Sequence, residues 1–228
     1  MGACAKSRQG LATPGEGLMR IGLPRALTYY EYGGLWRQFF EALGAEVVVS
    51  GPTTRTTLEL ATSRVTVDLC FPPKVYVGHL LTLVDQVDLV FAPSLRRPAP
   101  AATHCAKIVG LPDLARAVLP DPGALLTVDL DLEKGALALA QTVWAAGRPL
   151  TWNPVQIASA AEAARAEYQD GQKERKAIPR LEAGALTLGM VGHPYLSRDE
   201  YVNHGLRHRL EALAGLGADA RYAATAGC

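Results

Sequence analysis

One stretch near the start of this chain restricts its fold more than any other. "MRIGLPR" (19–25) and "AEVVVSG" (45–51) are short apolar runs, and the intervening "LTYYEYGGLWRQFFEALG" (27–44) repeats Leu35, Phe39, Phe40 and Leu43 at helical spacing. Gly44 stands where a left-handed residue would end that helix. Apolar run, amphipathic helix, apolar run is the pattern of a βαβ unit, whose crossover between parallel strands is right-handed. The expected class is therefore α/β with a parallel sheet.

The pattern then continues. "TTRTTLELA" enters a helix near Thr54 to Thr56, a short helix is expected around Val75 to Leu83, and "VDLVFAP" (87–93) reads as a strand. A proline-rich loop containing Pro98 and Pro100 follows, then the strand "GALLTVDLD" (123–131), a helix from Glu133 to about Trp144, and a long helix over "AAEAARAEYQDGQKERKAI" (160–178). The charges of that long helix need no role beyond a solvated face.

Near the end, "LTLGMVGHPYLSRDEYVNHGLRHRLEALAGLGADARY" (186–222) repeats the order of the opening: strand, loop with proline and tyrosine, helix, next strand. The expected organisation is a loose leader (1–18), a first α/β lobe (19–150), a helical connector (151–184) and the incomplete start of a second lobe (185–228). A βα pair alone cannot complete a sheet. Such a tail implies either a truncated product or a segment that packs back on the first lobe.

Composition narrows function by exclusion. A net charge of +1 without a long basic run lacks the electrostatic footprint of a nucleic-acid binder. No apolar run reaches the length of a membrane span. The leader has no apolar secretory region, and Lys6 stands where a myristoylation signal wants Ser or Thr. Of four cysteines, Cys4 and Cys228 lie near the two ends, which is no disulfide framework; a reducing cytoplasm is the expected location.

Cys70 and Cys105 remain, each in a loop between structured segments and each followed by a lysine, Lys74 or Lys107, within four residues. Iron–sulfur clusters need thiolates on turns that wrap an inorganic core. Read singly, each cysteine is equally a small buried hydrophobe. His79 and His193 could transfer protons or simply cap local hydrogen bonds. His204 and His208 lie four apart on an expected helix without an acidic third ligand, and two distant cysteines do not follow zinc-finger spacing. "GLPR" and Gly33-Gly34 lack the spacing of a dinucleotide or phosphate loop.

"IGLPRALTYYEYGGLWRQFFEALGAEVVVSGPT", "DLCFPPKVYVGHL", "VDLVFAPSL", "CAKIVGLPDL" and "GHPYLSRDEYVNHGL" together resemble successive motifs of the acyl-CoA dehydratase activase-related (DUF2229) proteins, kin of 2-hydroxyacyl-CoA dehydratase components. The resemblance covers about Met19 to Ala220. It implies flavodoxin-like or Rossmann-like lobes with an iron–sulfur cluster, of 4Fe-4S type, between them. Asp68, Cys70, Pro72 and Lys74 match one cysteine motif; Cys105, Lys107, Gly110, Leu111, Pro112 and Asp113 match a second, in which Ala106 replaces a proline. The resemblance makes Cys70 and Cys105 candidate metal ligands, puts Lys74, Lys107 and His79 in the cluster environment, and lines an inter-lobe cleft with Arg25, Tyr29, His193 and Tyr195. It also implies an ATPase activase as partner and an acyl-CoA-type substrate. The family's further cysteine has no counterpart, so either a second chain completes the ligand set or the lobe is a non-catalytic module; a metal-free small-molecule binding domain is a third reading. No catalytic residue is assigned.

Overall fold

The computed structural model describes residues 18–97, 105–176 and 192–214. The expected leader, the Pro98 and Pro100 loop, and the apolar runs that open and close the expected second lobe fall outside the described residues.

The α/β expectation holds. Strand β1 (Arg20–Leu23) leads through α1 (Tyr29–Ala42) to β2 (Glu46–Val49). Helices α2 (Arg55–Thr62) and α3 (Phe71–Leu83) precede β3 (Leu89–Phe91) and β4 (Ser94–Arg97). Next come α4 (Ala106–Val109), α5 (Leu111–Val118), β5 (Leu125–Leu126), β6 (Asp129–Asp131) and α6 (Gly135–Gly147). Helix α7 (Pro154–Lys176) follows; α8 (Pro194–Arg198) and α9 (Leu206–Ala214) close the described chain.

The sheet order is β2-β1-β3-β5, all pairs parallel, with Ile21 opposite both Val47 and Leu89 and Val90 opposite Leu125. The chain winds outward one way from β1 to β2 and the other way to β3, so the order reverses beside β1. In such a sheet the crevice at the carboxyl ends of the strands is where ligands bind.

Period-two alternation sorts the strand side chains onto two faces. Val48, Val90 and Leu125 join one core with α2, α3 and α5, built on Ala61, Leu80, Leu83 and Leu111. Ile21, Leu23, Phe91 and Leu126 join the other, against Trp36, Phe39 and Phe40 of α1 and Ile157, Ala160 and Ala164 of α7. Stacking of Tyr32 on Tyr168, with ring centroids 5.7 Å apart, extends the α1–α7 seam. A parallel sheet covered on both faces needs apolar residues on both, which is why its strands read as unbroken apolar runs.

Several boundaries differ from the sequence reading for identifiable reasons. Helix α3 begins at Phe71 rather than near Val75, because Pro72 and Pro73 lie in its first turn, where no backbone donor is required. Pro154 likewise opens α7 earlier than its alanine-rich run suggests. The strand expected over 123–131 is two short pieces. Pro93 has no N–H to give the ladder, so β3 and β4 separate there and their partners β5 and β6 separate with them. Flanking bonds from Ala92 N to Leu126 O (2.9 Å) and Ser94 N to Val128 O (2.8 Å) keep the pieces in line. Across β4 and β6, Arg96 pairs with Asp129, and Arg97 forks onto the buried Asp131 while also bonding Glu133.

Gly44, at φ +84°, ends α1 as expected. Gly78 has a different duty: a Cβ there would lie 2.1 Å from the Thr57 carbonyl oxygen, so α3 reaches α2 only with glycine at this position. The obstacle is backbone and cannot rotate away. Gly78→Ala is expected to lower stability by about 1–3 kcal/mol, the range of overpacked cores. Urea denaturation checks this, and an unchanged midpoint would show that α2 and α3 can part without loss.

Candidate functional site

Cys70 and Cys105 occupy equivalent positions on different helices. Each is the residue immediately before a helix, with extended backbone (φ −61°, ψ 152° and φ −53°, ψ 139°). Neither uses its side chain as a cap, and both thiols are free and exposed. That removes the reading of either cysteine as a small buried hydrophobe. Neither thiol therefore accepts from a first-turn amide, and in α3 Pro72 and Pro73 leave fewer such amides to satisfy.

Tyr195, on α8, lies within electrostatic range of both thiols. Its phenol is pushed above the ordinary tyrosine range first by burial, then by Cys105 and by Cys70. Its ring also lines a cavity of about 10 Å³ with Pro72, Val75, Tyr30 and Asp199, room for about one water. His193 precedes α8 and stacks on Tyr195, with centroids 5.4 Å apart. Phe71, the first residue of α3, and Leu196, on α8, leave apolar surface exposed.

Beneath this surface runs a buried polar chain. Arg25 N donates to Ser50 Oγ (2.7 Å), Ser50 Oγ meets His79 Nδ1 (2.9 Å), and His79 Nε2 meets Thr53 Oγ1 (2.8 Å). Thr53 Oγ1 and Tyr30 OH both donate to Asp199 Oδ2, while the amides of Tyr201 and Val202 donate to Oδ1 (3.1 Å each). Ser50, Thr53, His79 and Asp199 are all buried, His79 to 1% exposure.

Proton counting fixes the chain's direction. A carboxylate only accepts, so the single Thr53 proton goes to Asp199 and His79 must donate from Nε2 to the Thr53 oxygen. In a neutral imidazole Nδ1 then accepts, so Ser50 donates to it and takes the Arg25 amide on a lone pair. Every member is satisfied once. Burial drives the His79 pKa down to about 4, outweighing the opposing pull of Asp199, with Arg25 adding to the decrease. Burial and Asp199 push the Tyr30 phenol up, so it remains a donor.

The other expected site residues are placed as follows. Lys74 Nζ donates to the Val67 carbonyl (2.6 Å), tying the turn before Cys70 to α3. Lys107 is exposed on α4. His79 lies nine residues beyond Cys70, about two and a half turns along α3, and joins the buried chain instead of the thiols. Arg25 enters that chain through its backbone. Tyr29 packs edge-on against Tyr30 (5.8 Å) and belongs to the α1 core, while Tyr30 reaches the cavity. His204 is not helical: it holds φ +56° ahead of α9, and His208 alone is on the helix, bonded to Glu200 (3.1 Å). Ser50, Thr53 and Asp199 were missed by sequence reasoning, since no spacing pattern joins Ser50 and Thr53 to His79, 29 and 26 residues away, or Thr53 to Asp199, 146 residues away.

A family model described as "CoA enzyme activase uncharacterised domain (DUF2229)" matches residues 20–216. No curated protein and no solved structure matches the chain.

The buried imidazole sets a pH dependence. Unfolded, His79 takes a proton near its ordinary pKa of 6.5; folded, it does so only near 4. Its contribution to stability is complete above about pH 6.5 and falls as pH drops toward 4, by about 3 kcal/mol in all. Denaturation midpoints measured from pH 7 to 4 should fall more steeply in the wild type than in His79→Gln. Parallel slopes would contradict a buried neutral histidine.

Proposed function

The chain belongs to the DUF2229 family of CoA enzyme activase domains, and from that premise we propose that it is an electron-carrying component of an acyl-CoA dehydratase system. In this reading Cys70 and Cys105 are two ligands of an iron–sulfur cluster of 4Fe-4S type. An ATP-dependent activase, in the cytoplasm, supplies it with low-potential electrons, and the eventual acceptor is an acyl-CoA-type thioester. The observation that carries the reading is that two free, exposed and uncapped thiols each stand immediately before a helix.

A four-thiolate cluster needs two more ligands than this pair. Among the described residues no group of three His, Cys, Asp or Glu side chains could hold a metal ion. The described residues therefore do not fit a complete cluster by themselves, and the proposal calls for further ligands from outside them, a second chain being one source. The exposed surface around Phe71 and Leu196 is consistent with such a partner. Among the described residues no helix is long and apolar enough to cross a membrane.

The incomplete ligand set favours a second reading, a cluster-free α/β module that acts only as a scaffold for its partner. Iron and acid-labile sulfide analysis separates the two. Protein purified without oxygen, alone and with the chain encoded beside it, is compared with a Cys70→Ser, Cys105→Ser variant. Iron and sulfide in the wild type that vanish in the variant are expected. Metal-free, folded protein in both preparations would refute the cluster and leave the scaffold.

A further inference from the structure

The turn that carries Asp199 is inserted where an α/β sheet of this order takes its ligands. Thr53 follows β2 and Tyr30 follows β1, and both give their hydroxyl protons to Asp199 Oδ2 at the carboxyl ends of the strands. Beside that carboxylate the cavity has apolar walls, Ala26 and Leu27 from the β1–α1 loop and Pro72 and Val75 from α3. Tyr195 and Val202 close it from the side of the turn. The crevice thus holds a carboxylate with two hydroxyls at its head and hydrocarbon along its flank, and that carboxylate is the chain's own.

We propose that the crevice is a binding site for a short aliphatic carboxylate, with the 193–205 turn as its internal occupant and Asp199 standing where the carboxylate of a free acid binds. The amides of Tyr201 and Val202, which bond Oδ1, belong to the turn and leave with it. Thr53 and Tyr30 then lack their acceptor, and an incoming carboxylate restores it. Its alkyl chain takes the place of Tyr195 and Val202 against Ala26, Leu27, Pro72 and Val75. Because His79 Nε2 donates to Thr53, the Thr53 proton is committed to an anion at that position, whichever molecule supplies it.

The turn is suited to displacement. Helix α8 has five residues, too few to hold its own shape. Leu196, Tyr201 and Leu206 are exposed, and His204 holds φ +56°, a conformation that favours glycine. Its polar attachment rests on Asp199 and on the bond from Arg198 Nη1 to the Tyr30 carbonyl (2.7 Å). Turn and ligand compete for one position, so the apparent affinity is the intrinsic one reduced to the fraction of molecules whose turn is open. Neither Cys70 nor Cys105 enters this site, and iron content and carboxylate binding therefore fail or succeed separately.

The experiment is isothermal titration of the full chain with acetate, butyrate and hexanoate at pH 7 and constant ionic strength, together with hydrogen exchange of peptides covering 195–205. Each added methylene should tighten binding about threefold. Hexanamide, with the same chain and no charge, should bind at least about tenfold more weakly than hexanoate. Saturating hexanoate should speed exchange at Asp199, Asn203 and Gly205, whose amides are bonded within the closed turn. Asp199→Asn weakens the internal competitor and should tighten hexanoate binding by about tenfold or more. Thr53→Val in that background should cancel the gain, and Val202→Ala, which loosens the turn and keeps both hydroxyls, should also tighten binding.

No hexanoate binding to folded Asp199→Asn would overturn the proposal. So would equal affinities in the wild type, Asp199→Asn and its Thr53→Val double variant, the mark of an adventitious surface site, or exchange in the turn that hexanoate leaves unchanged or slows. Should Asp199→Asn fail to fold, Val202→Ala with and without Thr53→Val decides alone: no tightening in the first, or no loss in the second, refutes the site.

Discussion

A buried carboxylate organises this molecule. Asp199 has almost no access to water, and an isolated charge in that position would cost several kcal/mol. Its two oxygens accept two amides from its own turn and the hydroxyls of Thr53 and Tyr30. Because the donors come from segments far apart in sequence, satisfying the charge closes the chain upon itself. The hydroxyls of Thr53 and Tyr30 are committed to Asp199, so His79 and Ser50 have one consistent set of proton positions left. A single anion thus dictates the tautomer of a histidine two hydrogen bonds away.

That arrangement requires a sheet to stand on. Ser50 and Thr53 follow β2, and Arg25 follows β1, so three members of the chain lie at carboxyl ends of adjacent parallel strands. His79 comes from α3, which reaches them because Gly78 lets it press against Thr57 of α2. Covering both sheet faces fixes α1 and α3 on opposite sides, and Tyr30 and His79 then approach Asp199 from different layers. The polar chain is a consequence of apolar packing that leaves no freedom in the backbone around it.

The layers were legible in the sequence because they obey local periods. Ile21, Val47 and Phe91 lie in apolar runs, and Phe39, Phe40 and Leu43 keep helical spacing, so strand and helix follow from neighbours alone. Gly44 marked its helix end for the same reason. The start of α3 was placed too late, near Val75, since Pro72 and Pro73 belong to its first turn. The importance of Asp199 could not be read, because "SRDEY" resembles any charged surface turn until the fold delivers Thr53 and Tyr30 to it. His79 was visible as a histidine, but its partners were not: Ser50 and Thr53 carry no signal that separates a network hydroxyl from a loop hydroxyl. The match of residues 20–216 to one family agrees with the motif resemblance over nearly the same span, yet it bears on the chain as a whole and says nothing of these contacts.

Helix α3 finally explains why thiol surface and polar interior belong together. Its first residue follows Cys70, which faces solvent; nine residues beyond Cys70 it delivers His79 to a site with 1% exposure. A helix is stiff over that length, so a displacement at one end is carried to the other unless the helix bends. Tyr195 touches the outer end through the cavity beside Pro72, and Asp199 touches the inner end through Thr53. The α8 turn therefore grips α3 at two points along its length, directly by apolar packing and indirectly by hydrogen bonds. Two attachments fix orientation where one would leave a pivot, and an exposed pair of thiols on separate helices can share a ligand only if their helices keep a constant relative orientation.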